Sequence, residues 1–234
     1  ENAYLDISTE KSIFYGEKRM KRDSTIRQAM ETRNFNFDRN SMEQFRTAIT
    51  YSIEKNHATK TISYKDRIAR DQYWYDEDRT FNWKILPETV KIGEYETQKA
   101  ETTFAGRKWF AWFTQDLPFI DGPYKFSGLP GLIVKVEDEK GDYSFDLKET
   151  KKIAELPNFE SRFGNNIKVK RSEFLKQQEK FNKDPMSFFQ NQGGGFAMRM
   201  GGNQNPQNEA ERRKMMEERL KEEAKANNNP LEKN

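Results

Sequence analysis

The amino-acid sequence predicts an α+β fold that is mostly antiparallel β: a curved sheet or half-barrel packed by helices, with an extended C-terminal helical arm. Strand-like segments follow one another as far as residue 147 with turn residues between them, which is typical of antiparallel meanders rather than βαβ units. Aromatic residues make up 13% of the chain, so a core can form although charged residues make up 34%. From about Pro157 the chain becomes more polar, which predicts the arm.

The individual elements are predicted from local periodicity. Strands are expected at residues 3–7, 12–15, 45–54, 59–67, 72–75, 81–86, 94–104, 107–114, 132–137 and 143–147. Helices are expected at residues 17–33 and 171–181. Ala105 and Gly106 are expected to form the turn of one hairpin, and residues 138–142 the turn of another.

Three regions are predicted along the chain: a β-rich domain at 1–182, an Asn/Gln/Gly-rich linker at 183–208, and a charged helix with a tail at 209–234. The linker has too few apolar residues to offset its ordering entropy alone. The helix carries i,i+4 charge pairs such as Glu209 with Arg213. Its thin apolar stripe includes Met216 and Leu220, which either dock on a partner or lie on a solvated helix.

Composition excludes several classes of protein and site. The 41 basic residues nearly balance the 38 acidic ones, so nucleic acid is not an expected partner. No apolar run reaches the roughly 18 residues of a transmembrane helix, and the charged helix lacks the basic face of a membrane-surface helix. The absence of Cys excludes a thiolate zinc site and a Cys nucleophile, and no cofactor is predicted.

The segment between the strands at 107–114 and 132–137 is the most informative. It contains Gly122 and Pro123, and it leads into the hexapeptide Gly128, Leu129, Pro130, Gly131, Leu132 and Ile133. Pro130 fixes φ, Gly131 can adopt the positive φ of a type II turn, and Gly128 can let another backbone approach closely. The three aliphatic residues are expected to be buried. Two interpretations remain open: a loop that closes one end of a half-barrel, or a rigid recognition surface that exposes Tyr124, Lys125 and Phe126.

Aromatic residues occur on both faces of the strand at 107–114. Trp109 and Phe113 share one face because strand neighbours alternate, while Phe110 and Trp112 share the other. We expect a core on one face and helices on the other. Alternatively, Trp112 anchors a protein interface or lines a groove for an apolar ligand.

No catalytic set is predicted. The chain lacks a Gly-x-Ser-x-Gly elbow, a Walker loop and a His-Glu-x-x-His motif, and His57 lies in a polar turn. Acidic clusters at 76–78 and 137–142 fall at predicted turns, so we expect solvated carboxylates there, with a weak calcium site as the alternative. Asp116 and Asp121 are the candidates for an acid–base pair in a hydrolase.

The hexapeptide at 128–133 resembles the signature of the GLPGLI family of Bacteroidota envelope proteins. Other segments also fit the family: residues 4–6, 12–15, 82–83, 99–100, 106–107 and 229–230. The resemblance extends over about residues 1–180 and the last few residues. Thr97 stands where many members carry Cys, so a thiol role does not transfer to this chain.

The resemblance implies a compartment and a partner rather than a reaction. Members typically carry a cleaved signal peptide, so export to the periplasm or the outer membrane is expected, which agrees with a chain that starts at Glu1. Some members are encoded near TonB-dependent outer-membrane transporters. We therefore expect a non-catalytic accessory subunit of an outer-membrane complex. Its expected partner-binding residues are Trp112, Tyr124, Lys125, Phe126, Met216 and Leu220. The alternatives are a periplasmic carrier of an apolar ligand and the hydrolase.

Overall fold

The computed structural model describes residues 1–34, 44–157 and 164–184, together with residues 188, 214, 218, 231 and 232. The chain divides into two compact units. Unit 1 comprises Glu1–Lys65, Asp76–Phe159 and Leu231–Asn234, and unit 2 comprises Asp66–Tyr75 and Glu160–Pro230. Within the described parts, no helix combines the length and apolar character needed to cross a bilayer.

Eleven strands and two helices make up the described secondary structure. The strands are β1 (Ala3–Ile7), β2 (Lys11–Gly16), β3 (Ser52–Asn56), β4 (Thr61–Ile68), β5 (Asp71–Asp76), β6 (Lys84–Ile92), β7 (Tyr95–Phe104), β8 (Arg107–Thr114), β9 (Leu132–Asp138), β10 (Ser144–Asp146) and β11 (Asn166–Lys168). The helices are α1 (Glu17–Glu31) and α2 (Arg171–Lys183). The predicted α+β class, mostly antiparallel, is confirmed. The predicted C-terminal helix lies almost entirely outside the described residues.

The first sheet of unit 1 is built from β1 to β4 in chain order. Each strand pairs antiparallel with the next, so Phe14 lies opposite Ile53, and Ile53 opposite Tyr64. The strand predicted at 45–54 is largely wrong, because only its last residues belong to β3. Tyr51 instead stacks on Tyr64 with ring centroids 5.1 Å apart, so its apolar character reflects aromatic packing rather than strand pairing.

The second sheet of unit 1 has the order β10-β9-β8-β7-β6, an open antiparallel meander. Ala105 and Gly106 both have positive φ, 52° and 74°, which suits the tight turn between β7 and β8. The predicted end of the preceding strand at Leu86 is wrong. β6 passes through a register shift between Ile85 and Thr89, and Pro87 is tolerated there because β6 is an edge strand.

The core of unit 1 combines residues from both sheets and from the β8–β9 loop. Its buried members are Phe14, Ile53, Ala100, Phe104, Trp109, Ala111, Phe113, Tyr124, Phe126, Leu129, Ile133 and Val136. β8 contributes alternate residues, as its pattern predicts. On its opposite face, Phe110 and Trp112 are half-buried, and lysine ammonium groups lie over their rings.

Unit 2 contains a parallel strand pair and a helix. β11 pairs parallel with β5, so Ile167 lies opposite Tyr73. This three-residue strand was not predicted, because it is too short to show alternation. The predicted helix near 171–181 is confirmed as α2, and its buried Phe174 packs on Tyr75 with centroids 5.3 Å apart.

The alternation of β8 makes a direct prediction about stability. Phe113→Ala is expected to lower the free energy of unfolding by about 3–5 kcal/mol, because Phe113 is 1% exposed in the core. Phe110→Ala, three positions earlier on the opposite face, is the matched control and should cost about 1 kcal/mol. Urea unfolding at constant m-value measures both, and equal losses would contradict the assignment of the two faces.

Candidate functional site

The loop between β8 and β9, residues 115–131, is the candidate site. Its apolar tip consists of Leu117, Pro118, Phe119 and Ile120, and we call these residues the loop tip. Phe119 is 43% exposed and Ile120 is 66% exposed. The backbone of the loop tip folds into two successive three-residue turns, because the N–H of Phe119 donates to the Leu117 carbonyl and the N–H of Asp121 to the Phe119 carbonyl, each at 2.8 Å.

Strand β9 holds both ends of the loop tip. The N–H of Leu132 donates to the carbonyl of Leu117 at 3.2 Å, and the N–H of Ile133 donates to the carbonyl of Asp121 at 2.9 Å. The loop tip is therefore an exposed apolar segment on a hydrogen-bonded backbone.

The hexapeptide explains why the loop can return so closely to β8. A Cβ atom on Gly131 would lie 2.0 Å from the carbonyl oxygen of Thr114, and Gly131 has φ +143°, so only glycine fits. The predicted close approach at Gly128 is wrong, because nothing lies within 4 Å of a Cβ built there; Gly128 is needed for its φ of +93°. The turn at Pro130 is a three-residue turn closed by the N–H of Gly131 on the carbonyl of Leu129, not the predicted type II turn.

The burial that the sequence predicts is confirmed for the aliphatic residues of the motif. Leu129, Leu132 and Ile133 are buried as predicted. A Cβ on Gly122 would lie 2.8 Å from Cβ of Ile133, so this glycine lets the loop pack on β9. Pro123 accepts a hydrogen bond at its carbonyl from the N–H of Phe126 at 3.1 Å.

The predicted exposure of Tyr124, Lys125 and Phe126 is wrong, because all three side chains are buried. Tyr124 adopts a left-handed conformation with φ 54°, which turns the chain into the core. The ring of Phe126 packs edge-on against Trp109 at 4.8 Å between centroids. This burial agrees with the other interpretation of the loop, in which it closes the core.

A buried ion pair anchors the loop directly behind its tip. The ammonium of Lys55, on β3, lies 2.5 Å from Oδ1 of Asp121 and also donates to the carbonyls of Gly122 at 2.6 Å and Phe126 at 2.9 Å. The N–H of Gly122 donates to the same carboxylate oxygen at 2.7 Å. Burial alone would raise the pKa of Asp121, but the charge and hydrogen bond of Lys55 outweigh it and hold that pKa below its usual value.

His57 lies at the rim of this ion pair. Its Nε2 is 3.4 Å from Oδ2 of Asp121, and its side chain is about one-third exposed. The polar-turn position of His57 predicts an exposed residue, and His57 is exposed in a turn, with the Nε2 edge of its ring towards the buried carboxylate of Asp121.

A second buried network surrounds Lys125, and we call it the Lys125 cluster: Glu77, Arg79, Tyr124, Lys125 and Glu232. The Lys125 ammonium lies 2.6 Å from Oε2 of Glu77 and 2.5 Å from Oε1 of Glu232. Arg79 lies 2.7 Å from Oε1 of Glu77 and 2.7 Å from Oε2 of Glu232. The hydroxyl of Tyr124 donates to Oε1 of Glu232 at 2.6 Å. Two cations and two carboxylates thus neutralise one another inside unit 1.

The electrostatics of the Lys125 cluster favour charged acids. Burial would raise the pKa of Glu232, but Lys125, Tyr124 and Arg79 lower it to about 2. The pKa of Glu77 is also lowered, because Arg79 and Lys125 outweigh its burial. Burial and the nearby Glu232 raise the pKa of Tyr124 well above its usual value, so the phenol remains a donor.

The residue before Glu232 is also held. The carbonyl of Leu231 accepts from Nε of Arg107 at 3.1 Å, and the Leu231 side chain packs against the core. Arg107 is itself buried and fixed by Asp138 and Asp142, each at 2.7 Å. The C-terminal Leu231–Glu232 segment therefore belongs to unit 1.

The acidic clusters differ from their predicted state. Glu77 and Asp138 are buried in ion pairs, so the prediction of fully solvated turns is wrong for them, because Lys125, Arg79 and Arg107 lie within contact distance. Asp116 is exposed whereas Asp121 is buried, and the N–H of Asp116 donates to Oγ1 of Thr114 at 3.2 Å. Over the described residues, no group of three or more His, Cys, Asp or Glu is arranged to hold a metal ion.

Trp112 is the remaining predicted contact residue within the described chain. Its ring lies on the outer face of the second sheet, 5.1 Å from the ammonium of Lys135 and 5.5 Å from that of Lys99. Met216 and Leu220 lie outside the described residues.

Several residues of the site were not predicted from the sequence. Glu77 appeared only within an acidic turn, and Arg79, Arg107 and Glu232 were not singled out. The burial of Lys55 could have been predicted from the sequence. Lys55 lies two positions after the buried Ile53, so strand alternation places both residues on the same face. Glu232 had no local signal, because its partner Lys125 is 107 positions away.

Comparison with known proteins supports the fold and the motif. A family model described as "Protein of unknown function (Porph_ging)" matches residues 102–135, from the end of β7 through β8 and the loop into β9. Over these residues the chain is similar to a Bacteroidota-type family. No curated protein matches the chain.

Two solved structures of PNGF-II, in the P21 and C2 space groups, resemble the chain. Their TM-scores are 0.51 and 0.52 at 18% and 17% identity, over 75% and 76% of this chain. The chain spans only 28% and 30% of those PNGF-II chains. At this identity the likeness shows a shared fold alone.

Acid sensitivity follows from the lowered pKa of Glu232. A folded-state pKa of about 2, against an ordinary 4.5, stabilises the fold above pH 4.5, and this stabilisation is lost as pH falls towards 2. Its full size corresponds to about 3 kcal/mol. Glu232→Gln is expected to flatten this part of the stability–pH curve relative to the wild type. Glu179→Gln serves as the control, because Glu179 forms an exposed i,i+4 ion pair with Lys183 on α2. Identical curves for the wild type and Glu232→Gln, measured by urea unfolding from pH 2.5 to 6, would contradict the buried assignment.

Proposed function

We propose that this chain is a non-catalytic accessory subunit that binds a larger protein of the bacterial cell envelope through the loop tip. The observation that carries the proposal is the exposure of Phe119 and Ile120 on a backbone fixed by hydrogen bonds and by the buried Lys55–Asp121 pair. A preordered apolar segment loses little conformational entropy on binding. Rigid loops on a β scaffold commonly carry binding functions.

The expected partner is a TonB-dependent, SusC-like transporter at the outer membrane, and the chain is expected to be exported. Both expectations come from the resemblance to the GLPGLI family; the family model that matches the loop is one of unknown function.

Trp112 supplies a second proposed contact region on the outer face of the second sheet. Its half-buried ring and the flanking Lys99 and Lys135 combine apolar area with positive charge. Aromatic residues of this kind often anchor protein interfaces. Tyr124, Lys125 and Phe126 are not part of the proposed surface, because the core covers them.

The geometry gives the two alternatives less support. A carrier would need a large cavity lined by Trp and Phe, whereas these residues pack against one another in the core. A described cleft of about 150 Å³ lies elsewhere, beside Tyr95, Val134 and Leu147. For a hydrolase, Asp121 is already committed to Lys55 and lies buried while Asp116 is exposed.

The proposal predicts the outcome of co-purification from detergent-solubilised native envelopes. The tagged chain should recover an outer-membrane barrel protein in stoichiometric amount, identified by mass spectrometry. Phe119→Ser combined with Ile120→Ser should reduce that recovery at least tenfold, because loss of central apolar contacts typically removes 2 kcal/mol or more of binding energy, roughly thirtyfold in affinity.

Ile153→Ser is the matched control, since Ile153 is 51% exposed outside the loop. It should leave recovery unchanged. Recovery of the chain alone, or equal recovery with the loop-tip and control variants, would contradict the proposal.

A further inference from the structure

Leu231 and Glu232 make three kinds of contact with the rest of unit 1, and proteins commonly bind peptide ligands through the same three kinds. The side chain of Leu231 packs on the aromatic core, its carbonyl accepts from Arg107, and the Glu232 carboxylate receives Lys125, Arg79 and Tyr124. An apolar contact, a backbone hydrogen bond and a carboxylate receptor together specify a Leu–Glu segment.

The groups that contact Leu231 and Glu232, which we call the receptor, come from earlier parts of the chain. Arg79, Tyr124 and Lys125 lie between β5 and β9, and Arg107 begins β8. Residues 160–230, which belong to unit 2, separate Leu231 from the preceding part of unit 1. The contact therefore joins distant parts of the chain and does not follow from neighbouring backbone.

Charge at the receptor also favours an acidic occupant. Of the four charged groups in the Lys125 cluster, removal of Glu232 would leave two cations, Lys125 and Arg79, and one carboxylate, Glu77. A buried excess of positive charge is unfavourable, so a carboxylate is strongly preferred there. The Arg79 side chain is 28% exposed, so the receptor has an edge that an incoming peptide can reach.

We infer that Arg79, Arg107, Tyr124 and Lys125 form a binding site for a Leu–Glu peptide segment, which the chain's own C-terminal tail occupies and the tail of a second copy can occupy in its place. The site is distinct from the loop tip, and the inference does not depend on the proposed function. Co-purification with a transporter and peptide binding can succeed or fail separately.

The test uses the full chain with Glu232→Lys, which removes the carboxylate from the tail and leaves the receptor residues unchanged. The probe is a fluorescent synthetic peptide of residues 226–234. Anisotropy should show saturable binding to this variant at least tenfold tighter than to the wild type, whose own tail competes at high effective concentration. The peptide should also raise the variant's Tm.

Two controls address specificity. A peptide in which the residue equivalent to Glu232 is Gln should bind at least tenfold more weakly, and Lys125→Met added to the variant should abolish binding. Absence of binding by a folded Glu232→Lys variant, or equal binding of the Glu and Gln peptides, would overturn the inference.

A second measurement tests the inference if the Glu232→Lys variant does not fold. A protease site replaces Gly193–Gly195 in the otherwise wild-type chain, and the chain is cut after folding. The tail fragment should co-elute with the body on gel filtration and exchange with excess labelled peptide. A fragment that dissociates and does not rebind, or one that never exchanges, would overturn the inference.

Discussion

The ammonium group of Lys125 has no contact with solvent, and the need to compensate this buried charge constrains much of unit 1. An unpaired charge in this position would cost several kcal/mol, so the chain must bring carboxylates to it. Glu77 arrives directly after β5, and Glu232 arrives from the far end of the sequence. Arg79 joins the two carboxylates, and Tyr124 donates to the second. The pairing requires the C-terminal segment to return to the core, which is why unit 1 includes residues from both ends of the chain.

The same principle divides the β8–β9 loop into a buried half and an exposed half. Lys55 and Asp121 form the second buried pair, and Asp121 lies immediately after the loop tip. Beyond Asp121 the chain enters the core, where Phe126 packs on Trp109. The loop tip precedes Asp121, and its residues Phe119 and Ile120 remain exposed. A recognition surface on this loop is thus confined to its tip, and the aromatic residues that follow serve the core.

Sequence reasoning succeeds where a local pattern determines the structure. The hairpin at Ala105, the alternation along β8 and the burial of Leu129 and its aliphatic neighbours follow from turn chemistry and strand periodicity. It fails where contacts are distant. Tyr124 and Lys125 lie in a loop without periodicity, and a lysine in a turn-rich segment looks solvated until its partners are known. The carboxylate of Glu232 is 107 positions from Lys125, so no window of sequence reveals the pair.

A double-mutant cycle between Lys125 and Glu232 tests the central role of this pair most directly. Lys125→Met, Glu232→Leu and the double variant would be compared by urea unfolding at pH 7. Each single change leaves three charged groups in the Lys125 cluster, and therefore a buried net charge, so it should cost about 3–5 kcal/mol. The double variant leaves Glu77 paired with Arg79 and should cost much less than the sum. A coupling free energy of about 1 kcal/mol or more is predicted. Additive losses, within about 0.5 kcal/mol, would contradict the account.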